Sequence, residues 1–426
     1  MKKIIVLVFI IFFYSLRTQA QPKTDTLTLK LPEAEAMFIQ KNLLLLAQKY
    51  NIDAQKALII QARLYPNPNI AIESGLYNTV SKKFFAQGAD QEGGELASQL
   101  SQLVILAHKR NKQIKLVEAN AQLSEDQFFD LLRTLKYSLR TSFFNIYFLK
   151  QSAQVYDKEI DALQVVVTAF EKQKEKAYIS EREVVRVKAQ LYSLQVEYLA
   201  LINQINDAES VLRLILQVQP NVHIDPQVDG SLVKNLNPMQ YPYAALLDSA
   251  YQNRTDLHIA KTNTRISRLN YNYQKSLAVP DVTLSLGYDK QGSYIHNFNS
   301  VGFSIDIPIF NRNQGNIKSA KFGIESNLAI QKSVEAMVEE NIFRSLQKAI
   351  DADKMYKKID PSFAADFDRL NNEVLLNYQR RNLSLLEFLD FYDSYKQNIL
   401  QLNGIRFSKL SSLEDLNFYT GTNFFN

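Results

Sequence analysis

Apolar residues recur at alternating steps of three and four along the segment that follows Ser180. The residues at these steps are Val184, Val187, Leu191, Leu194, Tyr198, Leu201, Ile205, Ala208, Leu212 and Ile215. A seven-residue repeat sustained over this length is typical of a coiled-coil seam. The preceding segment carries a similar series at Leu132, Leu135, Leu139, Phe143 and Ile146. The two segments are predicted to form a long antiparallel helical hairpin with its turn near residues 176–180.

The absence of proline allows these helices to be long. Residues 69–219 contain no proline, the residue that most reliably interrupts a helix. At ~1.5 Å per residue, a helix from Asn111 to Lys176 would be roughly 100 Å long. A second hairpin is predicted after Asn316. Its returning helix carries Phe388, Phe391, Tyr395, Leu402 and Ile405.

A different period marks several short segments. Apolar residues alternate with polar or small ones at residues 70–76, 282–288 and 301–309, and less clearly at 95–106. One apolar and one polar face is the pattern of a half-buried strand. Strands of ~9–11 residues with this pattern also build membrane barrels, with lipid outside and water inside. Patterning alone leaves two interpretations open, a soluble sheet packed on the helices and part of a membrane barrel.

The chain contains the same order of elements twice. Residues 68–75 are echoed at 280–287, an offset of 212, and the S-x-x-E motif at Ser180 is echoed at Ser384, an offset of 204. Each copy is predicted to contain a short helix, two strands and a long helical hairpin. A repeat of this length is a duplicated half of the protein, because solenoid units are much shorter.

The first twenty residues are predicted to be a cleavable secretory signal. Lys2 and Lys3 precede an apolar run, and small residues precede Gln21. The run is too short to span a bilayer, which takes ~20 residues. The closing residues 424–426 are predicted to form a loosely packed tail. The predicted organisation is a signal peptide at 1–20, a first structural repeat at 21–219, a linker at 220–243 and a second structural repeat at 244–426.

Composition narrows the function classes. The chain has no cysteine, so it offers neither a disulfide framework nor a cysteine for lipid attachment. The formal charge of +5 falls to +2 without Lys2, Lys3 and Arg17, and this balance does not indicate nucleic-acid binding. The histidines are isolated, and the sequence has no phosphate-binding loop or nucleophile elbow. We expect that the chain is not an enzyme and that it has neither a cofactor nor a metal site.

Four strands cannot close a membrane barrel by themselves. Known barrels start at about eight strands. An open edge in lipid leaves backbone N–H and C=O groups unpaired, at several kcal/mol each. A chain of this kind must oligomerise if its sheet spans a membrane, and three copies would supply twelve strands.

Three segments resemble TolC-type outer-membrane efflux channels. They are residues 251–288, residues 64–69 and residues 307–317. The Pro-Asn-Pro turn at 66–68 and the Asn-Arg-Asn-Gln-Gly-Asn block at 311–316 are most similar to the heavy-metal (CzcC- and CusC-like) branch. The resemblance extends over essentially the whole mature chain. It implies a mainly α fold with a small β part, in which duplicated strand, strand and long-hairpin units form, as a trimer, a 12-stranded β-barrel continued by an α-helical barrel.

The resemblance also implies a function and a location. The chain would be a homotrimeric channel in outer-membrane lipid, with a long periplasmic extension. It would passively conduct substrate, heavy-metal cations being one candidate class, from an inner-membrane pump of the RND type and a periplasmic adaptor (membrane fusion) protein to the exterior. The alternative is a wholly periplasmic coiled-coil adaptor or scaffold. Adaptors usually carry one hairpin flanked by β-rich domains, whereas two hairpins are predicted here.

The candidate site lies at the two hairpin tips. Each tip has the S-x-x-E spacing of a capping box, in which the serine binds the N3 amide and the glutamate reaches back. These tip caps are Ser180 with Glu183 and Ser384 with Glu387. The resemblance places Glu183, Glu387 and Asp390 on the acidic positions of a periplasmic gate, and Tyr378 on a tyrosine that keeps it closed. Carboxylates brought together by a threefold axis would attract cations and repel anions.

Two features distinguish this chain from the family pattern. Ala177 in the first copy, and Arg381 and Leu383 in the second, stand where glycine and a basic residue are usual. Pro361 interrupts the outgoing helix of the second copy, whereas the matching region near Asp157 has no proline. The resemblance therefore does not determine the turn geometry or the closing salt bridges, and we expect the second hairpin to be the less stiff one.

Overall fold

A computed structural model describes most of the chain. It covers residues 25–86, 94–290, 295–360, 362, 369–370, 373–374, 376–378, 380 and 382–425. The predicted signal peptide, Pro361 and Arg381 lie outside the described residues. The chain divides into two compact units. The first unit takes the chain up to Leu45, Leu132–Gln252 and the chain from Glu340 onward, and the second takes Leu46–Leu131 and Asn253–Glu339. Each unit therefore combines segments of both predicted repeats, whose boundaries stay a prediction.

Helices dominate the described residues, as predicted. The strands are β1 (Asp25–Lys30), β2 (Asn69–Ser74), β3 (Tyr77–Asn78), β4 (Lys83–Phe84), β5 (Leu96–Val104), β6 (Val222–Gln227), β7 (Val282–Asp289) and β8 (Phe298–Ile305). The helices are α1 (Leu31–Lys41), α2 (Leu43–Ala62), α3 (Lys109–Glu175), α4 (Glu181–Leu216), α5 (Gly230–Asn235), α6 (Tyr243–Asn253), α7 (Thr255–Leu277), α8 (Gln314–Lys357) and α9 (Leu385–Thr420). Among the described residues, no helix is long and apolar enough to cross a membrane.

The first predicted hairpin is present. α3 is 67 residues long and α4 is 36, and the turn between them occupies the predicted residues. In the first unit the apolar seam of α4 packs against Leu163, Val166 and Phe170 of α3. Tyr198 and Ala208 are only partly buried, and beside Ala208 the seam buries Glu209 completely.

Two cationic groups and an imidazole surround the buried Glu209 carboxylate. Its oxygens lie 3.1 Å from Lys150 Nζ, 3.0 Å from Arg213 Nη1 and 3.0 Å from His223 Nδ1. A buried carboxylate is tolerated when charged or polar partners replace the water that it loses. These partners come from α3, α4 and β6, so the carboxylate ties three elements of the first unit together.

The returning helix of the second hairpin, α9, has its predicted apolar face. Phe388, Tyr395 and Leu402 are buried, and Phe391 and Ile405 are partly buried. The same helix also buries charged and amide side chains that an apolar pattern does not mark. These are Lys396, Asn403, Lys409, Glu414 and Asn417.

Ion pairs within the first unit explain why Glu414 and Lys409 can be buried. Arg140 on α3 binds Glu414 through Nε and Nη2, both at 2.7 Å, and Glu35 on α1 through Nη1 at 2.8 Å. Lys409 Nζ lies 2.8 Å from Asp353 Oδ1 on α8. A bidentate arginine–carboxylate pair is geometrically specific as well as strong, so Arg140 fixes the positions of α1 and α9 against α3.

A parallel strand pair adds to the predicted element order. β1 and β6 pair in register, with Leu27 opposite Ile224. β6 lies inside the segment predicted as a linker, and Ile224 is completely buried. The partners are almost 200 residues apart in sequence, so local patterning does not reveal the pairing.

The prediction of a loose C-terminal tail is wrong for Phe424 and Phe425, whereas Asn426 lies outside the described residues. Phe425 is 1% exposed, and its N–H donates to Asn417 Oδ1 at 2.9 Å while Asn417 Nδ2 donates to its carbonyl at 2.7 Å. Tyr241 stacks edge-on against Phe424, with ring centroids 4.7 Å apart. Aromatic burial and a reciprocal amide bond hold the end of the chain against α9.

The second unit contains an antiparallel sheet in the order β2-β5-β7-β8. Leu100 of β5 lies opposite both Ile70 of β2 and Leu286 of β7. The predicted strand over 301–309 begins earlier and ends at Ile305, because its partner β7 begins at Val282, directly opposite. Pro308 has no N–H to extend the ladder. Within the described residues, β2 and β8 have a paired neighbour on one side only.

Candidate functional site

One face of the four-stranded sheet is apolar and exposed. The register places on this face the apolar Ile70, Ile72, Leu96, Leu100, Val104, Val282, Leu284, Leu286, Tyr288, Val301, Phe303 and Ile305, with only Ser74, Ser98, Gln102 and Asn299 as polar residues among them. Val301 and Phe303 are 83% and 75% exposed. A contiguous apolar surface of this kind is uncommon on a soluble monomer and marks a surface that contacts protein or lipid.

The opposite face of the same sheet is polar and lined by small residues. The register places on it the small residues Ala71, Ala97, Ser101, Thr283, Ser285, Gly287, Ser300, Gly302 and Ser304, together with the larger Asn69, Glu73, Gln99, Leu103, Asp289 and Phe298. A Cβ added at Gly287 would lie 2.6 Å from Ser300 Oγ, and one added at Gly302 would lie 2.9 Å from Ser285 Oγ. Serine hydroxyls thus occupy the space beside both glycines, and the face carries short polar groups on two neighbouring strands.

Polar side chains fix the ends of the strands to the long helices of the second unit. Asp281, just before β7, accepts the N–H of Leu106 at 2.8 Å and lies 2.7 Å from Lys109 Nζ at the start of α3. After β8, Asn313 adopts a left-handed conformation with φ 57°. Its Nδ2 donates to the carbonyl of Gln274 at 2.8 Å, and its Oδ1 accepts from Asn316 at 2.6 Å. The asparagine-rich block therefore locks the turn from β8 into α8.

The capping box at the first hairpin tip is present. Glu183 Oε2 accepts from Ser180 N at 3.0 Å and from Ser180 Oγ at 2.9 Å, and Ser180 Oγ accepts from Glu183 N at 3.4 Å. The hydrogen bonds from Ser180 hold the pKa of the Glu183 carboxyl below its ordinary value. Glu183 is therefore ionised at neutral pH and engaged in the cap.

The second tip repeats this arrangement. Glu387 Oε2 accepts from Ser384 N at 2.8 Å and from Ser384 Oγ at 2.7 Å, and Ser384 Oγ accepts from Glu387 N at 3.3 Å. The hydrogen bonds from Ser384 lower the pKa of the Glu387 carboxyl. Asp390, one turn further along α9, is exposed, and none of the hydrogen bonds or ion pairs found among the described residues engages it.

The turn of the first hairpin keeps a geometry that suits glycine. Ala177 has φ 59°. Its N–H donates to the carbonyl of Lys174 at 2.8 Å, and the N–H of Tyr178 donates to the carbonyl of Gln173 at 3.0 Å. This is a left-handed helix C-cap, which glycine adopts without steric cost. Ala177 thus takes up a left-handed conformation that suits glycine, and Lys174 adds a 2.7 Å ion pair to Glu181.

Tyr378 packs at the base of the tips in the first unit. Its ring stacks on Phe388, with centroids 4.3 Å apart and planes inclined by 19°, and lies 6.3 Å from Phe170. Burial, followed by the charge of Glu183, raises the pKa of the Tyr378 hydroxyl to about 12. The charge of Glu183 therefore acts on the Tyr378 hydroxyl. Convergence of Glu387 and Asp390 on other carboxylates stays a prediction that concerns an assembly of several chains.

A buried carboxyl of the first hairpin was not singled out by the sequence. Glu159 is 3% exposed and lies on the series Tyr156, Glu159, Leu163, Val166, Phe170, whose steps of three and four mark a helical seam. A glutamate at a seam position is the signal that could have identified it. Among the described residues, no group of three or more His, Asp or Glu side chains could hold a metal ion.

Comparisons with known proteins agree with this architecture. No model of a known protein family matches the chain. The cobalt-zinc-cadmium resistance protein CzcC of Cupriavidus metallidurans is 20% identical over 300 residues, which are 70% of this chain and 68% of that protein. The CmeC outer membrane channel of Campylobacter jejuni superimposes with a TM-score of 0.73 at 13% identity, covering 92% of this chain and 86% of that one. CusC superimposes with a TM-score of 0.66 at 16% identity, covering 96% of each chain.

These matches confirm the predicted resemblance. The chain has the fold of TolC-type outer-membrane channels, mainly α with a small β part, and its solved and curated neighbours include the heavy-metal branch.

Proposed function

We propose that this chain, with the fold of the TolC-type channels, is the outer-membrane channel of a tripartite efflux system. The observation that carries the proposal is the sheet with one apolar, exposed face and one polar face of small residues. In a membrane barrel the apolar face contacts lipid and the polar face lines a water-filled passage. A sheet packed on helices in solution would bury the apolar face, and here Phe303 is 75% exposed.

The free edges of the sheet require more than one copy of the chain. β2 and β8 stand at the two ends of the strand order, and unpaired edge groups in lipid cost several kcal/mol each. Three copies joined through β8 of one and β2 of the next would give twelve strands and a closed barrel. The long hairpins of the three copies would form the α-helical barrel that extends into the periplasm.

Transport through this assembly is passive in the proposal. A periplasmic adaptor and an inner-membrane pump of the RND type supply substrate and energy, and the channel offers a water-lined route to the exterior. Heavy-metal cations are the cargo class that the name of the CzcC relative suggests. The small polar groups of the inner sheet face do not select a cargo by shape, so the pump and adaptor determine what is carried.

The hairpin tips form the periplasmic entrance in this proposal. Glu183 and Glu387 are held in caps by Ser180 and Ser384, whereas the carboxylate of Asp390 projects from an exposed position of α9. A ring of such carboxylates from three chains would favour cations, and the stacked Tyr378 would hold the second tip against the first. Asp390 is the residue that we assign to the entrance charge.

Membrane fractionation tests the proposal against a wholly periplasmic adaptor or scaffold. We expect the mature chain in the outer-membrane fraction, soluble only in detergent, and running on a gel as an oligomer that heating converts to a monomer. Release of a monomer by osmotic shock, without detergent, would favour the periplasmic alternative. The CmeC outer membrane channel shares the fold over 92% of this chain and CusC over 96%, and this supports the channel.

A further inference from the structure

A cluster of titratable groups lies where α9 packs on the first hairpin, within the first unit. Lys396 Nζ on α9 is 2.7 Å from Glu197 Oε2 on α4 and 3.1 Å from Asp393 Oδ1. Glu197 and Asp393 reach solvent, with side chains 42% and 43% exposed. Tyr156 on α3 adds a 3.3 Å hydrogen bond to Glu197 Oε2. The ammonium group of Lys396 is therefore already engaged by two carboxylates.

Glu159 lies in the same cluster without such a partner. It is 3% exposed, and its Oε1 is buried with no hydrogen-bond partner among the described residues. The titratable groups that face it from the three helices are Tyr156, Glu197, Tyr392, Asp393 and Lys396. If all the carboxyls were ionised, three negative charges would surround one ammonium. A buried carboxylate that lacks a donor is strongly disfavoured, whereas the protonated acid is neutral and can donate.

We propose that Glu159 is a proton-binding site that holds α9 against the first hairpin, so that the docking of α9 depends on pH. Protonation removes one buried charge from the junction of α3, α4 and α9. The inference goes beyond the proposed function, because it concerns the packing of α9 whether or not the chain conducts substrate. Phe388 and Tyr392 of α9 lie in the same apolar cluster as Leu163 and Val166 of α3, so a change at Glu159 acts directly on this interface.

The direction of the pH effect follows from the native and unfolded states. Burial, opposed by Lys396 and reinforced by Asp393 and Glu197, raises the pKa of the Glu159 carboxyl to about 8. When α9 is released and Glu159 meets water, its pKa returns to the ordinary value near 4.5. The docked state therefore binds the proton more tightly. The proton on Glu159 therefore stabilises the docked state of α9 fully below the ordinary pKa. This stabilisation decreases as the pH rises and is absent above about pH 8.

Infrared spectroscopy tests the proton directly on the detergent-solubilised full chain. We expect a protonated-carboxyl C=O band at pH 6.5 that disappears with a midpoint near pH 8 and is missing from Glu159→Gln. The control Glu171→Gln removes an exposed carboxylate of the same helix, which is paired with Lys188 at 2.5 Å, and should keep the band. A wild-type spectrum without this band at pH 6.5, or a band that survives in Glu159→Gln, would overturn the proposal.

Hydrogen exchange tests the coupling to α9. After correction for intrinsic exchange rates, we expect the amides of residues 385–400 to lose about 30-fold in protection between pH 6.5 and 9 in the wild type. Glu159→Gln, which is neutral at every pH, should show little change over the same range, and Glu171→Gln should follow the wild type. Equal pH dependence in the wild type and Glu159→Gln would contradict the coupling. The wild-type infrared measurement remains decisive if Glu159→Gln does not fold.

Discussion

Substituting arginine along β8 should reveal which face of the sheet meets lipid. Phe303 and Ile305 lie on the apolar face, opposite Leu284 and Val282, and Ser304 lies between them on the polar face. An arginine on the lipid face costs ~2–4 kcal/mol near the bilayer midplane and ~0–1 kcal/mol near its surfaces, while one facing water stays hydrated. Phe303→Arg should therefore weaken assembly strongly, and Ser304→Arg should be tolerated.

The size of the effect depends on depth as well as on the face. Phe303 is 75% exposed and lies inside the strand, whereas Ile305 is 42% exposed and ends it. A cost of ~2–4 kcal/mol corresponds to roughly 30- to 700-fold in an assembly equilibrium for each chain. We expect the largest loss with Phe303→Arg, a smaller loss with Ile305→Arg and the smallest with Ser304→Arg.

The assay is the yield of heat-labile oligomer from purified outer membranes, normalised to the total mature chain. Comparing unheated and heated samples of the same extract separates an assembly defect from poor expression. Equal oligomer yields for all three variants would refute the strand orientation. Normal assembly of Phe303→Arg together with loss of Ser304→Arg would mean that the two faces are assigned the wrong way round.

Two further predictions concern the hairpin tips. Ala177→Gly should stabilise the first tip by about 1 kcal/mol, because the residue already has a left-handed conformation that costs alanine ~1–2 kcal/mol. Slower hydrogen exchange at residues 173–183 would support this prediction, and faster exchange would contradict it. In planar bilayers, Asp390→Ala should reduce cation preference or raise conductance without loss of oligomer, whereas Ser384→Ala should mainly loosen the start of α9 by about 1 kcal/mol. If selectivity and conductance are unchanged both in Asp390→Ala and in a Glu183→Ala, Glu387→Ala double mutant, the acidic gate is refuted, and Glu183 and Glu387 keep a capping role only.

The long helices and the sheet could be predicted because they follow local periods. The seam from Val184 to Ile215 and the alternation from Val282 to Tyr288 each repeat with a fixed step, which determines the element and its apolar face. The serine caps were equally local, since S-x-x-E places the two groups within one helical turn. The structure places both caps where the spacing predicted them.

The features that the sequence did not reveal depend on distant partners. Lys409 is 1% exposed on α9, and the positions of Asp353 and Tyr356 on α8 explain that burial. The pairing of β1 with β6 and the bond between Asn417 and Phe425 also arise from tertiary contacts, which override local preference. Glu159 differs from these residues, because the sequence alone shows that it lies on an apolar helical seam, where a charged side chain is unusual.

Cross-linking between the edge strands tests the central claim, that the sheet continues from one copy to the next. The native chain has no cysteine, so a thiol cross-linker can be directed to Ile72→Cys on β2 and Val301→Cys on β8. A control pair, Leu100→Cys with Leu286→Cys, lies on directly opposed positions of one chain. In outer membranes, we predict that the edge pair yields covalent species of two and three chains and that the control pair yields only cross-linked monomer. Only monomer from the edge pair, and from pairs moved by two residues along either strand, would contradict the account.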